Sequence, residues 1–178
     1  EFVLPCYAQS GFHPISGSNR TNLVLAGLMY EGLFALDESF EARPVLCTGY
    51  TAGENGLTWT FTLDGAARFS DGTALSASDV AYSLNLARQS PLYANRLAGI
   101  TGVAAGEGTV TVTLSAPNGA LPQLLDVPVV RETGDPGLPL GTGPYVLEGE
   151  GEELFLRNWR GDMPLARIPL VAIAEAGD

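Results

Sequence analysis

Residues 57–84, LTWTFTLDGAARFSDGTALSASDVAYSL, combine a strand, two turns and the beginning of a helix in one stretch. From Leu57 to Leu63 large apolar residues alternate with threonines, so one face of the strand is apolar and the other polar. Asp-Gly pairs at 64–65 and 71–72 predict turns in the segment that follows. The stretch therefore predicts antiparallel β structure that leads directly into a helix.

The helix that follows has a strong start signal. Ser76 is the expected N-cap residue, and Asp79 stands three residues later, which is the spacing of a capping box. Asp79 also lies close to the positive end of the helix dipole. Val80, Leu84 and Ala87 share one face of the helix, so we expect them to be buried.

The rest of the chain alternates between short strands, short helices and loops rich in Gly and Pro, which predicts a mixed α/β (α+β) fold. A helix is expected over residues 23–33, capped by Thr21 or Asn22. Further strands are predicted at residues 2–8, 34–37, 108–117 and 168–178, a short helix at 119–126, and a hairpin at 144–159 with its turn at 149–151. The last of these strands is predicted to be buried.

Composition excludes several classes of partner. The chain has 178 residues, a net charge of −11 and nine cationic side chains, all of them arginine. An acidic chain without basic clusters is poorly suited to nucleic acid or anionic membranes, so no nucleic-acid partner is predicted. Its apolar runs are too short to span a bilayer.

The residues that usually carry catalysis or bind metals are scarce. Cys6 and Cys47 could form a disulfide or be two buried thiols, and we favour unpaired burial. A catalytic thiol or a serine triad would depend on His13, the single histidine. Neither a zinc site nor a phosphate-binding loop is visible, because the chain has one histidine and no lysine. We predict a protein that is not an enzyme, with no metal and no cofactor.

The order of the motifs resembles the family 5 extracellular solute-binding proteins of ABC importers, the peptide- and nickel-binding class. The signature of that family pairs a W-x-F-x-L hairpin with an F-x-D-G turn and a T/S-A-x-D-V helix start. It is matched here by Trp59, Phe61, Leu63, Gly65, Phe69, Asp71, Gly72, Ala77, Asp79 and Val80. One departure is Asp64–Gly65 directly after the strand, where the family often has an Arg and one residue more. SPLYA (90–94) and PLGTGPYVL (139–147) also resemble the family in order and spacing.

The resemblance implies the first lobe of a two-lobe, periplasmic-binding-protein-like fold (type II, cluster C) with a β-rich subdomain. Residues 1–42 and 126–178 would form the lobe core, and residues 43–125 the inserted subdomain. Family members continue into a second lobe after a strand like IPLVAIAE. On this resemblance the chain is expected to be an excised first lobe, with the second lobe absent.

By the same resemblance, the function would be to bind di- or oligopeptides in an interlobe cleft and deliver them to an ABC permease in the membrane. Nickel chelates and oligosaccharides remain alternative solutes, a ligand-sensing domain of a signalling system is a second function, and a hydrolase is a distant third. The location would be extracellular, either as a membrane-anchored lipoprotein or in the periplasm. An isolated lobe with exposed apolar surface would also be prone to self-association.

The resemblance places five residues on the cleft wall: Cys6, Tyr7, Ala8, Tyr93 and Val129. Tyr7 could equally be a surface residue of the strand, and Val129 could be a core valine. Tyr93 is expected to reach into the cleft rather than to fill the core.

Three further residues are considered for contact with the solute. Thr142, in GTGPY, is expected to be a turn residue rather than a contact. Ser16 and Ser18, in the loop after the first strand, are additional candidates.

Overall fold

The computed structural model describes residues 2–174 and contains two four-stranded sheets and one two-stranded sheet. The strands are β1 Leu4–Cys6, β2 Phe34–Leu36, β3 Ala42–Pro44, β4 Cys47–Ala52, β5 Thr58–Leu63, β6 Ile100–Ala105, β7 Thr109–Leu114, β8 Tyr145–Glu148, β9 Phe155–Asn158 and β10 Arg167–Ala172. The helices are α1 Arg20–Ala26, α2 Ala77–Ala87 and α3 Leu121–Leu124, and a 3-10 helix covers Ala8–Ser10. The mixture of short strands and helices agrees with the predicted α/β class.

The stretch at 57–84 folds as predicted. β5 lies inside an antiparallel sheet of order β4-β5-β7-β6, where Trp59 pairs with Val112 and Phe61 with Val110. All four of these side chains are buried, because the alternating residues of both strands turn the same face to the core. The threonines between them lie on the opposite face, as the alternation predicted.

Helix α2 begins with the predicted capping box. The Ser76 side chain accepts a hydrogen bond from the Asp79 main-chain N–H, and the Asp79 carboxylate accepts one from the Ser76 main-chain N–H at 2.8 Å. Val80, Leu84 and Ala87 are buried on one face of the helix. The helix therefore covers the apolar face of the sheet, which is what the sequence pattern required.

The second sheet has the order β1-β10-β9-β8. β1 and β10 run parallel, with Pro5 opposite Val171, and β8 and β9 form the predicted hairpin. β10 was predicted to be a buried strand, and this is wrong for one of its faces, since Val171 is 51% exposed while Ile168 and Leu170 are buried. The part of that prediction beyond residue 174 lies outside the described residues.

Helix α1 differs from its prediction at both ends. Asn19, not Thr21 or Asn22, is the N-cap residue, and the helix ends at Ala26 instead of continuing to residue 33. Asn22 cannot cap the helix because its side chain bonds the main chain of Tyr7 and Gly11. After Ala26 the chain continues in hydrogen-bonded turns, in which the main-chain N–H groups of Met29 and Tyr30 donate to the Ala26 carbonyl.

β1 is shorter than predicted. It ends at Cys6 rather than residue 8, because the chain turns into the 3-10 helix at Ala8–Ser10. The proposed boundary between lobe core and subdomain, at residues 42 and 43, falls inside β3, which pairs with β2. That division of the chain stays a prediction.

The thiols of Cys6 and Cys47 are both buried and free, as expected from the sequence. Within residues 2–174 the longest helix, α2, has 11 residues, and no helix there has the length and apolar character to cross a bilayer.

Candidate functional site

The loop after β1 is fixed by side chains from two other parts of the chain. The Asn22 side chain accepts a hydrogen bond from the Tyr7 main-chain N–H at 2.9 Å and donates to the Gly11 carbonyl at 2.6 Å. Ser90, just after α2, donates from its hydroxyl to the Ile15 carbonyl at 2.6 Å. These bonds hold the loop after β1 beside the loop that carries Tyr93.

His13 organises the middle of the same loop. Its Nδ1 atom accepts hydrogen bonds from the main-chain N–H groups of Ile15 at 3.2 Å and Ser16 at 3.1 Å. Its Nε2 atom lies 3.1 Å from a carboxylate oxygen of Glu132, which also accepts a hydrogen bond from the Tyr82 hydroxyl. Because Nδ1 is an acceptor, the proton of the neutral ring is assigned to Nε2. His13 therefore supports the loop through its partners, and no serine hydroxyl is among them.

Tyr93 lines a groove of about 510 Å³ together with Pro14, Leu23, Arg96 and Asp126. The Arg96 guanidinium carbon lies 5.0 Å from the centre of the Tyr93 ring, and its Nη1 atom donates to the main-chain oxygen of Asp126 at 3.0 Å. Arg96 thus connects the loop after α2 with the end of α3. The groove combines apolar walls with an aromatic ring, a cation and a carboxylate.

The ionisable groups of this groove are partly removed from water. Burial raises the pKa of the Asp126 carboxyl, and the nearby Arg96 offsets part of that rise. Burial also raises the pKa of Tyr93, where Arg96 acts downward and Asp126 upward. Among residues 2–174, neither the Asp126 carboxylate nor the Tyr93 hydroxyl has a hydrogen-bond partner. Both groups are therefore available to a solute in the groove.

The predicted site residues do not all meet in this groove. Tyr93, half-buried, lines it. Ala8 is exposed and lines a separate hollow of about 750 Å³ that also touches Leu154 and Ala172. Tyr7 is half-buried at the end of β1, with both its main-chain groups bonded to Asn22. That both hollows contact one solute stays a prediction.

The side chains of Cys6 and Val129 are closed off from solvent, at 0% and 1% exposure. Their main-chain atoms are also engaged, since Ile173 N–H donates to the Cys6 carbonyl and Val129 N–H to the Glu31 carbonyl. Burial in the core explains both side chains in this structure. Their place on the cleft wall stays a prediction.

The three secondary candidates also differ from one another. Thr142 is buried and donates from its hydroxyl to the Glu31 carboxylate at 3.1 Å, and its role as a turn residue rather than a contact stays a prediction. Ser16 and Ser18 are exposed in the loop organised by His13. Within residues 2–174 no group of three or more His, Cys, Asp or Glu side chains could hold a metal ion.

Two groove residues, Arg96 and Asp126, were not predicted from the sequence. Arg96 stands three residues after Tyr93, a spacing that brings two side chains together in a helical turn. Asp126 is the single charged residue between Leu121 and Val130, and a lone charge in an apolar run is a signal that could have identified it.

The family of the chain follows from its sequence. The model of the bacterial extracellular solute-binding proteins, family 5, middle region, matches residues 41–156. The match covers more than half of the chain, and the chain belongs to this family. The predicted family membership is thereby confirmed.

Relatives of known name support the same conclusion. The glutathione-binding protein GsiB of Salmonella choleraesuis is 30% identical over 158 residues, covering 81% of this chain and 31% of GsiB. GsiB of Escherichia coli K12 is 28% identical over the same length and the same shares. The chain therefore spans about a third of the length of these relatives.

Solved structures show the fold. MoaA from A. tumefaciens R10, in complex with mannopinic acid, superposes with a TM-score of 0.79 at 21% identity, covering 93% of this chain and 38% of MoaA. The periplasmic murein tripeptide binding protein MppA superposes with a TM-score of 0.77 at 22% identity, covering 97% of this chain and 40% of MppA. The oligopeptide-binding protein AppA from Bacillus subtilis superposes with a TM-score of 0.75 at 17% identity, covering 97% of this chain and 39% of AppA. The chain has the periplasmic-binding-protein type II fold, as predicted.

Proposed function

We propose that this chain forms part of a solute-binding component of an ABC importer, with small peptides as the solute. The observation that carries the proposal is the groove beside Tyr93, which combines apolar walls with a hydroxyl and a carboxylate that have no hydrogen-bond partner among residues 2–174. Peptides offer the matching chemistry, since they carry apolar side chains and a polar main chain. A peptide solute is also consistent with the names of GsiB, MppA and AppA, which refer to glutathione, a murein tripeptide and oligopeptides.

The expected mode of action is binding without chemical conversion. A solute lies between the wall formed by this chain and a second wall, and closure of the two walls encloses it. The closed form, outside the cytoplasm, then delivers the solute to a permease in the membrane. A ligand-sensing role would use the same groove, and no observation in residues 2–174 favours it over transport.

A thermal-shift screen of the chain tests this proposal. Solutes that bind only the folded state raise its melting temperature by mass action. We expect reduced glutathione and tri-alanine to raise the melting temperature, and nickel-histidine chelate and maltotriose to leave it unchanged. A shift with the chelate or the sugar alone would replace the peptide assignment.

The same screen locates the site. Tyr93→Ala removes the aromatic ring of the groove, so we expect the peptide-induced shift to disappear. Phe40→Ala is the matched control, because Phe40 is exposed between β2 and β3 and lies outside the groove lining. An equal peptide shift in the Tyr93→Ala protein would contradict the assignment of the groove.

A further inference from the structure

The His13 side chain holds the loop after β1 in a way that depends on its protonation state. The side chain is only 6% exposed. Its Nδ1 atom accepts hydrogen bonds from the main-chain N–H groups of Ile15 at 3.2 Å and Ser16 at 3.1 Å, two and three residues later. Asn and Asp side chains hold turns by the same pattern, with a side-chain oxygen as the acceptor. His13 therefore does the work of an Asn or Asp, but with an acceptor that can take a proton.

Both of these hydrogen bonds require a lone pair on Nδ1. A neutral imidazole has one N–H and one acceptor nitrogen, whereas the charged ring has an N–H at both nitrogens. A proton on Nδ1 would face the N–H groups of Ile15 and Ser16, and none of the three could accept a hydrogen bond from another. Because histidines ordinarily change charge between about pH 5 and 8, we expect this conflict in mild acid.

The other ring nitrogen keeps its partner in both charge states. Nε2 lies 3.1 Å from Oε1 of Glu132, and the Tyr82 hydroxyl on α2 donates to the same oxygen at 2.9 Å. A charged ring would bond this carboxylate more strongly than a neutral ring does. Glu132 therefore retains the ring when Nδ1 takes a proton, and the main chain of the loop is the part that has to move.

The other charged side chains of the neighbouring elements are engaged elsewhere. Asp79 on α2 pairs with Arg131, the residue before Glu132. Asp135 accepts a hydrogen bond from the Gly137 main-chain N–H at 2.8 Å. Among residues 2–174, Glu132 is thus the charged side chain that bonds the His13 ring directly.

The segment held by His13 belongs to the wall of the groove. Pro14 lines the groove of about 510 Å³, and the Ile15 carbonyl accepts the hydrogen bond from the Ser90 hydroxyl at 2.6 Å. Ser90 lies just before the loop that carries Tyr93, another lining residue. A movement of Ile15 would therefore be felt on both sides of the groove.

We propose that His13 is an acid-sensitive latch for the main chain of residues 14–16. The latch is closed while Nδ1 is unprotonated. When acid protonates Nδ1, the N–H groups of Ile15 and Ser16 are released to water, and the segment moves away from the ring. The movement changes the groove wall at Pro14 whatever solute the groove binds, so the latch does not depend on the proposed peptide.

NMR of the whole chain tests the latch directly, because His13 is the single histidine and its ring signals are unambiguous. The ring nitrogens and the amides of Ile15 and Ser16 are followed in ¹⁵N-labelled protein from pH 7.5 to pH 5. Two variants give the reference states. His13→Asn retains an acceptor at the δ1 position that cannot be protonated, so it marks the closed latch, and His13→Ala lacks the acceptor and marks the open one.

We expect the wild-type ring at pH 7.5 to carry its proton on Nε2, and the amide shifts of Ile15 and Ser16 to resemble those of His13→Asn. As the ring charges, both amides should move toward their positions in His13→Ala. The Gly106 amide, which bonds the Thr109 carbonyl in the β6–β7 turn, is the internal control and should not move. Neither variant should show the pH-dependent movement at residues 15 and 16.

Three results would overturn the latch. One is a neutral ring with its proton on Nδ1, which the wild type alone reveals even if His13→Ala does not fold. The second is a ring that charges while the amides of Ile15 and Ser16 stay at their His13→Asn positions. The third is a ring that remains neutral down to pH 5.

Discussion

Arg131 donates two hydrogen bonds to the Asp79 carboxylate, from Nε to Oδ1 at 2.9 Å and from Nη2 to Oδ2 at 2.6 Å. The same guanidinium donates to the Thr73 hydroxyl at 2.7 Å and lies 4.4 Å from the centre of the Phe69 ring. Asp79 is also the capping-box partner of Ser76. The Asp79 carboxylate therefore caps the start of α2 and also binds the segment around Arg131 to that helix.

Removal of the Asp79 charge is expected to destabilise the protein. The side chains of Asp79 and Arg131 are only 12% and 31% exposed, so the arginine would be left partly buried without its partner. We expect Asp79→Asn to lower the free energy of unfolding by about 2–3 kcal/mol in urea denaturation. Glu148→Gln, in the more exposed pair with Arg157, is the control, with an expected loss of about 0.5 kcal/mol. Equal losses in the two variants would contradict the role assigned to Asp79.

The stability of the protein should also depend on pH through Asp79. Burial alone would raise the pKa of Asp79, but hydrogen bonds from Arg131 and Ser76 outweigh it and hold the pKa below the ordinary 3.8. Since the folded pKa is the lower one, the stabilisation is complete above the ordinary value and is lost as pH falls below it. We expect wild-type urea midpoints to fall more steeply than those of Asp79→Asn below about pH 4. Parallel curves for the two proteins would refute this contribution.

The cysteines are expected to be chemically inert in the folded protein. Burial raises the pKa of the Cys47 thiol to about 11 and also raises that of Cys6. Because the thiolate is the reactive form, both thiols should react with Ellman's reagent far more slowly in the native protein than in guanidinium. Full reactivity in guanidinium without reductant would confirm that no disulfide is present. Rapid reaction of the native protein would show that the burial is wrong.

Gly143 is expected to be intolerant of any side chain. A Cβ atom there would lie 2.7 Å from the main-chain nitrogen of Tyr30, in the turn where Gly143 N–H bonds the Met29 carbonyl. Since backbone cannot give way as a side-chain end can, we expect Gly143→Ala to lower the free energy of unfolding by about 2 kcal/mol or more. Gly65→Ala is the control, because a Cβ there meets no atom within 4 Å. A melting temperature for Gly143→Ala close to that of the control would contradict the tight packing.

The sequence predicted those parts of the fold whose signal is local. β5 and β7 alternate without interruption, and Ser76 with Asp79 forms its capping box within one helical turn, so the residues alone determine the structure. The start of α1 could not be predicted this way. Asn22 has the right chemistry for a cap, but its side chain is hydrogen-bonded to the main-chain N–H and carbonyl of Tyr7, which is distant in sequence. A tertiary contact decided between two acceptable caps.

The candidate site was less predictable for the same reason. Tyr93 was identified through the family resemblance, whereas Asp126 and Arg96 acquire meaning only when α3 and the loop after α2 meet across the groove. Burial of Val129 is equally a property of the assembled core. Sequence patterns report which face of an element is apolar, and they do not report which charges remain unpaired after packing.

We propose that the groove beside Tyr93 binds a small peptide. The most direct measurement is a titration of the ¹⁵N-labelled chain with reduced glutathione, followed by amide chemical shifts. We predict saturable shifts centred on Tyr93, Arg96 and Asp126, with the exposed loop at Ser16 affected next. Shifts confined to other parts of the chain, or none at millimolar glutathione, would contradict the claim.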